Sequence, residues 1–162
     1  MGQRSPDFVT QKVVMMKPQV ADWFERRTSS SAQWPLGHLM SIKGDTTVSV
    51  VLPALNEAAT VANIVTTIRD HLGDGAAPGD RIVDELIVLD SGSTDSTAAL
   101  ACGAGAKVVH RDEVLPRIPT VPGKGEAMWR SLAATTGDIV VFIDADLRSF
   151  TPHTALACAP GA

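Results

Sequence analysis

Two carboxylates one residue apart, Asp144 and Asp146, stand at the exit of the apolar run Ile139-Val140-Val141-Phe142-Ile143. A run so rich in β-branched residues reads as a strand buried on both faces. If the strand conformation persists through Asp144-Ala145-Asp146, both carboxylates lie on the same side. They then face the crevice in which open α/β sheets hold ligands. A carboxylate pair with no Cys or His beside it suits a hard cation that keeps its other positions for water and phosphate oxygens. The triplet therefore points to a divalent ion holding a nucleotide diphosphate. Asp-x-Asp triplets are common, so the weight of this one comes from its place at a strand exit.

Three other segments carry residues suited to the same ligand. In Pro53-Ala54-Leu55-Asn56-Glu57, Asn56 is suited to cap a following helix, and the backbone on either side can hold a flat uracil edge. Taken alone, this pentapeptide is better explained as a plain strand-to-helix turn. In Leu89-Asp90-Ser91-Gly92-Ser93-Thr94-Asp95, Asp90 ends a strand, Gly92 permits a tight turn, and Ser93 or Thr94 caps the next helix. Asp90 and Ser91 are candidates to bind base or ribose, whereas Asp95 reads as a dipole partner in a first helical turn. In Val121-Pro122-Gly123-Lys124-Gly125-Glu126-Ala127, two glycines flank a lysine at a helix start, which offers a cation and free N–H groups to an anion. The segment lacks the earlier glycine and the hydroxyl residue of the Gly-x-x-x-x-Gly-Lys-Ser/Thr phosphate loop. A solvated surface lysine is the competing account of Lys124.

These segments need a scaffold that brings them together. Val48–Pro53 reads as a first strand stopped by Pro53, and Ala58–Leu72 as an amphipathic helix with Val61, Ile64, Val65, Ile68 and Leu72 on one face. Glu85–Asp90 is a second strand, Thr94–Cys102 a short helix ended by Gly103 and Gly105, and Ala106–Val109 a third strand. After a long Pro-interrupted loop come a helix from about Gly125 to Thr135 and a fourth strand, Ile139–Asp144. Met128, Trp129 and Leu132 are expected on the core face of that helix. Such alternation predicts a Rossmann-like α/β fold with a parallel sheet in the order 3-2-1-4 and a switch point between Pro53 and Asp144. All four segments then fall at the ligand-facing end of one sheet.

Ahead of the sheet, residues 1 to about 19 read as a loose tail, Ala21–Arg27 as a short helix, and Trp34-Pro35-Leu36 as a docking loop. Trp23 and Trp34 are expected to cover a core edge. From Ser149 onward no periodic pattern is evident. The domain reading is thus 1–45 tail and lead-in, 46–148 nucleotide-binding domain, and 149–162 irregular tail.

Composition narrows the class. Of 162 residues 44% are hydrophobic, enough for a core, and only 4% are aromatic with no Tyr, which argues against base-stacking platforms for single-stranded nucleic acid. The net charge of −4 comes without a Lys/Arg cluster, so no nucleic-acid partner is expected. No apolar stretch reaches bilayer-spanning length and no secretory signal is evident, so no membrane partner is expected. Cys102 and Cys158 read as reduced thiols of a cytoplasmic protein. His38, His71, His110 and His153 lack partners at metal-ligand spacing and read as surface histidines. No Gly-x-Ser-x-Gly elbow or Cys/His dyad suggests nucleophilic catalysis, and the catalytic residue is left unassigned.

The stretch Val48–Leu147 resembles the nucleotide-binding part of a GT-A, family 2-like glycosyltransferase, through Val-Val-Leu-Pro-Ala-Leu-Asn-Glu, Leu-Asp-Ser-Gly-Ser-Thr-Asp and Asp-x-Asp. It is more closely similar to the actinobacterial glucosyl-3-phosphoglycerate synthases, through residues 83–95 and Pro-Gly-Lys-Gly-Glu-Ala-Met-Trp-Arg-Ser-Leu-Ala-Ala-Thr. The resemblance implies glucose transfer from UDP-glucose to 3-phosphoglycerate with retention at the anomeric carbon. By the same resemblance Pro53, Ala54, Leu55 and Glu57 contact uridine, Ser91 holds the nucleotide and Lys124 the donor. Asp144 and Ala145 lie against ribose and sugar, and Asp146 binds Mg²⁺ or Mn²⁺. A homodimer is a further possibility raised by full-length family members. Those members continue well beyond the counterpart of Leu147, into the acceptor pocket and a further metal ligand. This chain is therefore expected to be a C-terminally truncated fragment with impaired activity and no acceptor site. The alternatives are a polyprenyl-phosphate sugar transferase, disfavoured by the Pro-Gly-Lys-Gly-Glu-Ala helix start, and a non-catalytic UDP-sugar-binding remnant.

Overall fold

The computed structural model describes residues 17–28, 33–152 and 154. Most of the expected amino-terminal tail, His153, Cys158 and the last eight residues lie outside them. The chain divides into two units, Met1–Gln33 and Trp34–Ala162.

In the first unit, helix α1 (Pro18–Arg27) starts earlier than the sequence predicts, because Pro18 at its first turn is preset for helical φ and needs no donor. Arg26 and Arg27 occupy the last turn, where they complement the helix dipole. Arg26 pairs with Asp22 one turn back, and Trp23 meets Phe24 edge-on at 6.1 Å. Trp23 is 57% exposed.

The second unit is a four-stranded parallel sheet in the predicted order β3-β2-β1-β4. Its elements are α2 (Leu36–Lys43), β1 (Val48–Ala54), α3 (Val61–Leu72), β2 (Glu85–Asp90), α4 (Thr97–Ala104), β3 (Lys107–His110), α5 (Lys124–Ser131) and β4 (Ile139–Phe142). The expected docking loop at Trp34-Pro35-Leu36 is instead the entry to α2. Pro35 is its N-cap, Trp34 stacks on His38, and Trp34 and Leu39 pack into the core.

The central strand β1 shows why the sequence makes a covered sheet. Val50, Leu52 and Ala54 enter one core layer with Val61, Ile64, Val65, Ile68 and Leu72 of α3. Val51 points the other way, with Ile87, Leu89, Val114 and Ala127 of the α5 side. A strand wetted on neither face reads as a continuous apolar run rather than an alternating one. The same logic fails for β4. It borders only β1, and each of its residues is half-buried, so the expectation of burial on both faces is corrected: it is an edge strand among the described residues. Phe150, read as part of the irregular tail, is buried in the core.

The strand starts are fastened by side chains. Ser49 Oγ donates to Glu85 at 2.7 Å and accepts the Gly137 N–H at 2.9 Å. Asp138 accepts the Thr47 N–H at 2.9 Å, and Asp84 accepts the Val48 N–H at 2.8 Å while pairing with Lys43 at 2.9 Å. Burial pushes the Asp84 and Glu85 carboxyls up, but these hydrogen bonds and the lysines Lys43 and Lys107 outweigh it and hold both below the usual range. This polar seam joins β1, β2 and β4 at the end of the sheet away from the candidate site.

Candidate functional site

At the exit of β1 the chain turns sharply, and the turn is held by the next strand's exit. Asn56 sits at φ 58°, a left-handed conformation that Asn tolerates better than most residues. Its N–H donates to Ser93 Oγ at 2.9 Å, and its side-chain oxygen accepts the Thr94 N–H at 2.8 Å. Asn56 thus laces two loops together and does not cap α3 as expected. The Glu57 N–H donates to Thr97 Oγ1 at 2.8 Å, and the Ala58 N–H to Asp95 at 3.2 Å. With these donors committed sideways, α3 begins at Val61 rather than Ala58.

The β2 exit is built in the same way. The Asp90 side chain is buried, 5% exposed, and accepts the Ser93 N–H at 3.2 Å. The backbone of Ser91 continues the ladder, its N–H donating to Ala54 O at 2.9 Å. Gly92 adopts φ 94°, which the turn requires and a side chain would strain. Asp95 is not in a first helical turn, since α4 begins at Thr97. The Thr97 hydroxyl, followed by the N–H groups of Thr97 and Ala58, holds its carboxyl below the usual range.

At the β3 exit, Asp90 pairs with His110, and the Arg111 N–H donates to Asp90 O at 2.9 Å. His110 therefore ends the strand, one residue beyond the expected Val109. The chain beyond it is clamped by Arg130, which is fully buried. Arg130 donates to Glu126 and to the carbonyls of Val114, Leu115 (3.2 Å) and Ile118 (2.7 Å). The buried face of α5 is Ala127, Arg130 and Ser131. Trp129 and Leu132, expected in the core, are exposed, and Met128 is only half-buried. A charged clamp, invisible to an apolar-periodicity reading, took the core position.

The β4 exit carries the carboxylates. Hydrogen bonding to β1 continues one residue past the strand, Ile143 N–H to Val51 O at 3.0 Å, and the chain then turns at Ala145-Asp146. The alternation nevertheless persists: Ala145 is 3% exposed in the core, while Asp144 and Asp146 are both exposed. Thr60 Oγ1 donates to Ala145 O at 2.6 Å and pins this turn to the start of α3. Lys124, the first residue of α5 after Gly123 (φ 136°), donates from Nζ to Asp144.

These exits enclose a cavity of about 490 Å³, within the size range of small-molecule sites. Pro53, Ala54, Leu55, Glu57, Ser91, Lys124, Asp144, Ala145 and Asp146 all line it. Asn56 and Asp90 do not line it and instead shape the loops that do. Gly92 and Ala127, from the segments already described, line it as well, and so does Arg111, which had not been singled out. Arg111 was legible in principle: once β3 is extended to His110, the following residue must stand beside Ser91. No group of three or more His, Cys, Asp or Glu side chains is placed to bind a metal among the described residues. A cation here would have Asp146 and, after release from Lys124, Asp144. That oxygen-only set fits an ion completed by water and ligand oxygens.

Residues 49–153 match Glycosyl transferase family 2. The chain is 54% identical over 125 residues to the glucosyl-3-phosphoglycerate synthase of Mycolicibacterium smegmatis, a match covering 77% of this chain and 39% of that relative. It is also similar to the crystal structure of the Mycobacterium tuberculosis glucosyl-3-phosphoglycerate synthase in complex with Mn²⁺, UDP-glucose and phosphoglyceric acid. There the TM-score is 0.66 at 56% identity, over 74% of this chain and 40% of that one. A second structure of that synthase, with Mg²⁺ and UDP, matches with TM-score 0.62 at 55% identity, over 69% and 37% of the two chains. This chain thus spans about two fifths of the length of its relatives.

Proposed function

The chain belongs to glycosyl transferase family 2, and from that premise we propose that its cavity binds UDP-glucose with Mg²⁺ or Mn²⁺, as the donor part of an activity that transfers glucose to 3-phosphoglycerate. The observation that carries the reading is the convergence of Lys124, Asp144 and Asp146 with the β1 and β2 exits on one cavity. Lys124 and the amino terminus of α5 offset the charge of a diphosphate, since helix starts present free N–H groups and a positive dipole end. Asp146 holds the cation, and Asp144 exchanges Lys124 for ribose or metal. A bound divalent cation supplies Lewis-acid stabilisation of charge on the departing nucleoside diphosphate. Pro53, Ala54 and Leu55 form an apolar wall for the base, and Glu57 and Ser91 offer it polar partners. The ligands crystallised with the Mycobacterium tuberculosis synthase, and the 54% identity to the Mycolicibacterium smegmatis one, support this donor and acceptor over a lipid-phosphate acceptor.

The test is binding and transfer by the purified chain, with UDP-glucose and either 3-phosphoglycerate or a polyprenyl phosphate. The expected result is metal-dependent UDP-glucose binding, with any transferred glucose found on 3-phosphoglycerate. Glucose on the lipid phosphate, or no UDP-glucose binding, would overturn the reading. Binding without any product would restrict the chain to its donor-holding role.

A further inference from the structure

We propose that Arg111 reads the base of the nucleotide, donating to the 4-carbonyl oxygen of a uracil ring and so selecting uridine over cytidine diphosphates. The inference rests on the donor-site reading above and adds to it a residue that selects the base.

Position is the first argument. The sheet order β3-β2-β1-β4 puts Arg111, at the β3 exit, at the opposite side of the cavity from Asp144 and Asp146 at the β4 exit. Three strand spacings separate β3 from β4, roughly 14 Å at about 4.8 Å each. Lys124, paired with Asp144, belongs to the β4 side. A nucleoside diphosphate anchored there by its phosphates extends its base towards Ser91, Gly92 and Arg111. In a pyrimidine nucleoside the 4-position lies across the ring from the glycosidic nitrogen. It is the group that meets the far wall.

Commitment of the side chain is the second argument. Arg130 spends its donors on Glu126 and three carbonyls. Arg111 does not. Its Nε is shut off from solvent and has no hydrogen-bond partner among the described residues. Its charged neighbour Asp112 stands 3.7 Å away, beyond hydrogen-bond reach, and the side chain is 23% exposed. The buried Nε faces only Asp112, so it is the rest of the guanidinium, at the cavity wall and without a side-chain hydrogen bond among the described residues, that is suited to an acceptor brought by a ligand.

Chemistry decides which acceptor. A guanidinium only donates. At the 4-position uracil offers a carbonyl acceptor, whereas cytosine offers an amino donor. Arg111 therefore satisfies the first and opposes the second, and a site built for one hydrogen-bonding pattern rejects the other strongly.

The test is calorimetric titration of the chain with UDP and with CDP, each with Mn²⁺, for wild type, Arg111→Met, Arg111→Lys and Lys124→Ala. Wild type is expected to bind UDP roughly ten- to a hundredfold more tightly than CDP. Arg111→Met brings the two within about threefold, chiefly through lost UDP affinity, and Arg111→Lys gives an intermediate ratio because it keeps one donor. Lys124→Ala weakens both ligands by a similar factor and leaves the ratio standing. A wild-type ratio near one, or a ratio unchanged in Arg111→Met, overturns the proposal while leaving the donor-site reading intact. If Arg111→Met does not fold, an unchanged ratio in Arg111→Lys overturns it equally. Failure of wild type to bind either nucleotide overturns the donor-site reading and this inference together.

Discussion

Lys124 and Asp144, at the start of α5 and the exit of β4, are joined as an ion pair at the cavity, Nζ donating to the carboxylate. Both side chains are about half exposed, 55% and 53%. The pair holds a cation next to the Asp-x-Asp turn without burying either charge, so an incoming diphosphate can take Lys124 over at little cost.

Function and stability should therefore separate at Lys124. An exposed pair is worth at most about 1 kcal/mol, so Lys124→Ala should leave the urea midpoint almost unchanged. Its hydrogen bond to a charged ligand is worth roughly 1.5–3 kcal/mol, so UDP affinity should drop about ten- to a hundredfold. Parallel urea and UDP titrations check this. A large loss of stability with unaltered affinity would assign Lys124 to the scaffold instead.

Arg130 should behave in the opposite way. Arg130→Met leaves the Glu126 carboxylate unpaired and the Val114, Leu115 and Ile118 carbonyls without their donor. Breaking such a buried pair costs about 3–5 kcal/mol. Adding Glu126→Gln should recover part of it by removing the stranded charge. Equilibrium unfolding of the single and double variants tests both statements, and a double variant less stable than the single one would contradict the clamp.

Much of this was legible in the sequence, and its failures have physical causes. The period-3.6 pattern of Val61, Ile64, Val65, Ile68 and Leu72 is the buried face of α3, and every member is in the core. The strand order follows from alternation and crossover handedness. The errors arose where polar side chains override apolar pattern. Asn56, Asp95 and Thr97 draw backbone donors away and delay α3 and α4, while Arg130 displaces Trp129 and Leu132 from the core. Within the site, nine of the eleven expected residues line one cavity. Asn56 and Asp90 were chosen correctly as polar loop residues, but their side chains are used up by Thr94 and Ser93.

The polar seam at the strand starts gives the fold an acid dependence. Asp84, Glu85 and Asp138 in the seam, and Asp95 in the β2-exit loop at the other end of the sheet, all have depressed carboxyl pKa values in the folded state. For such groups the unfolded chain binds more protons at low pH, so stability falls as pH falls. Their contribution is complete above the ordinary values of 3.8 for Asp and 4.5 for Glu and is lost on acidification through the lower folded values. Urea midpoints measured between pH 7 and pH 3 should therefore be level at first and then decline. A midpoint that rises below pH 4 would contradict the seam.

Two glycines should respond in opposite directions to alanine. At Gly137 a Cβ would stand 2.6 Å from Ser49 Oγ and 2.7 Å from Ser49 N, inside the seam. Overpacking of this kind costs about 1–3 kcal/mol. At Gly37, in α2, a Cβ meets nothing within 4 Å, and Gly37→Ala should stabilise by roughly 0.4–1 kcal/mol. Thermal unfolding of both variants gives the comparison, and a Gly137→Ala variant as stable as wild type would show that the strand starts are not packed as described.

The most direct measurement of the central claim is calorimetric UDP binding by this chain with and without Mn²⁺, repeated for Asp146→Asn. The account expects UDP to bind wild type more tightly when Mn²⁺ is present, and Asp146→Asn to lose that enhancement while retaining the weaker metal-free binding. UDP binding that ignores both the metal and Asp146 would contradict it, as would no binding at all.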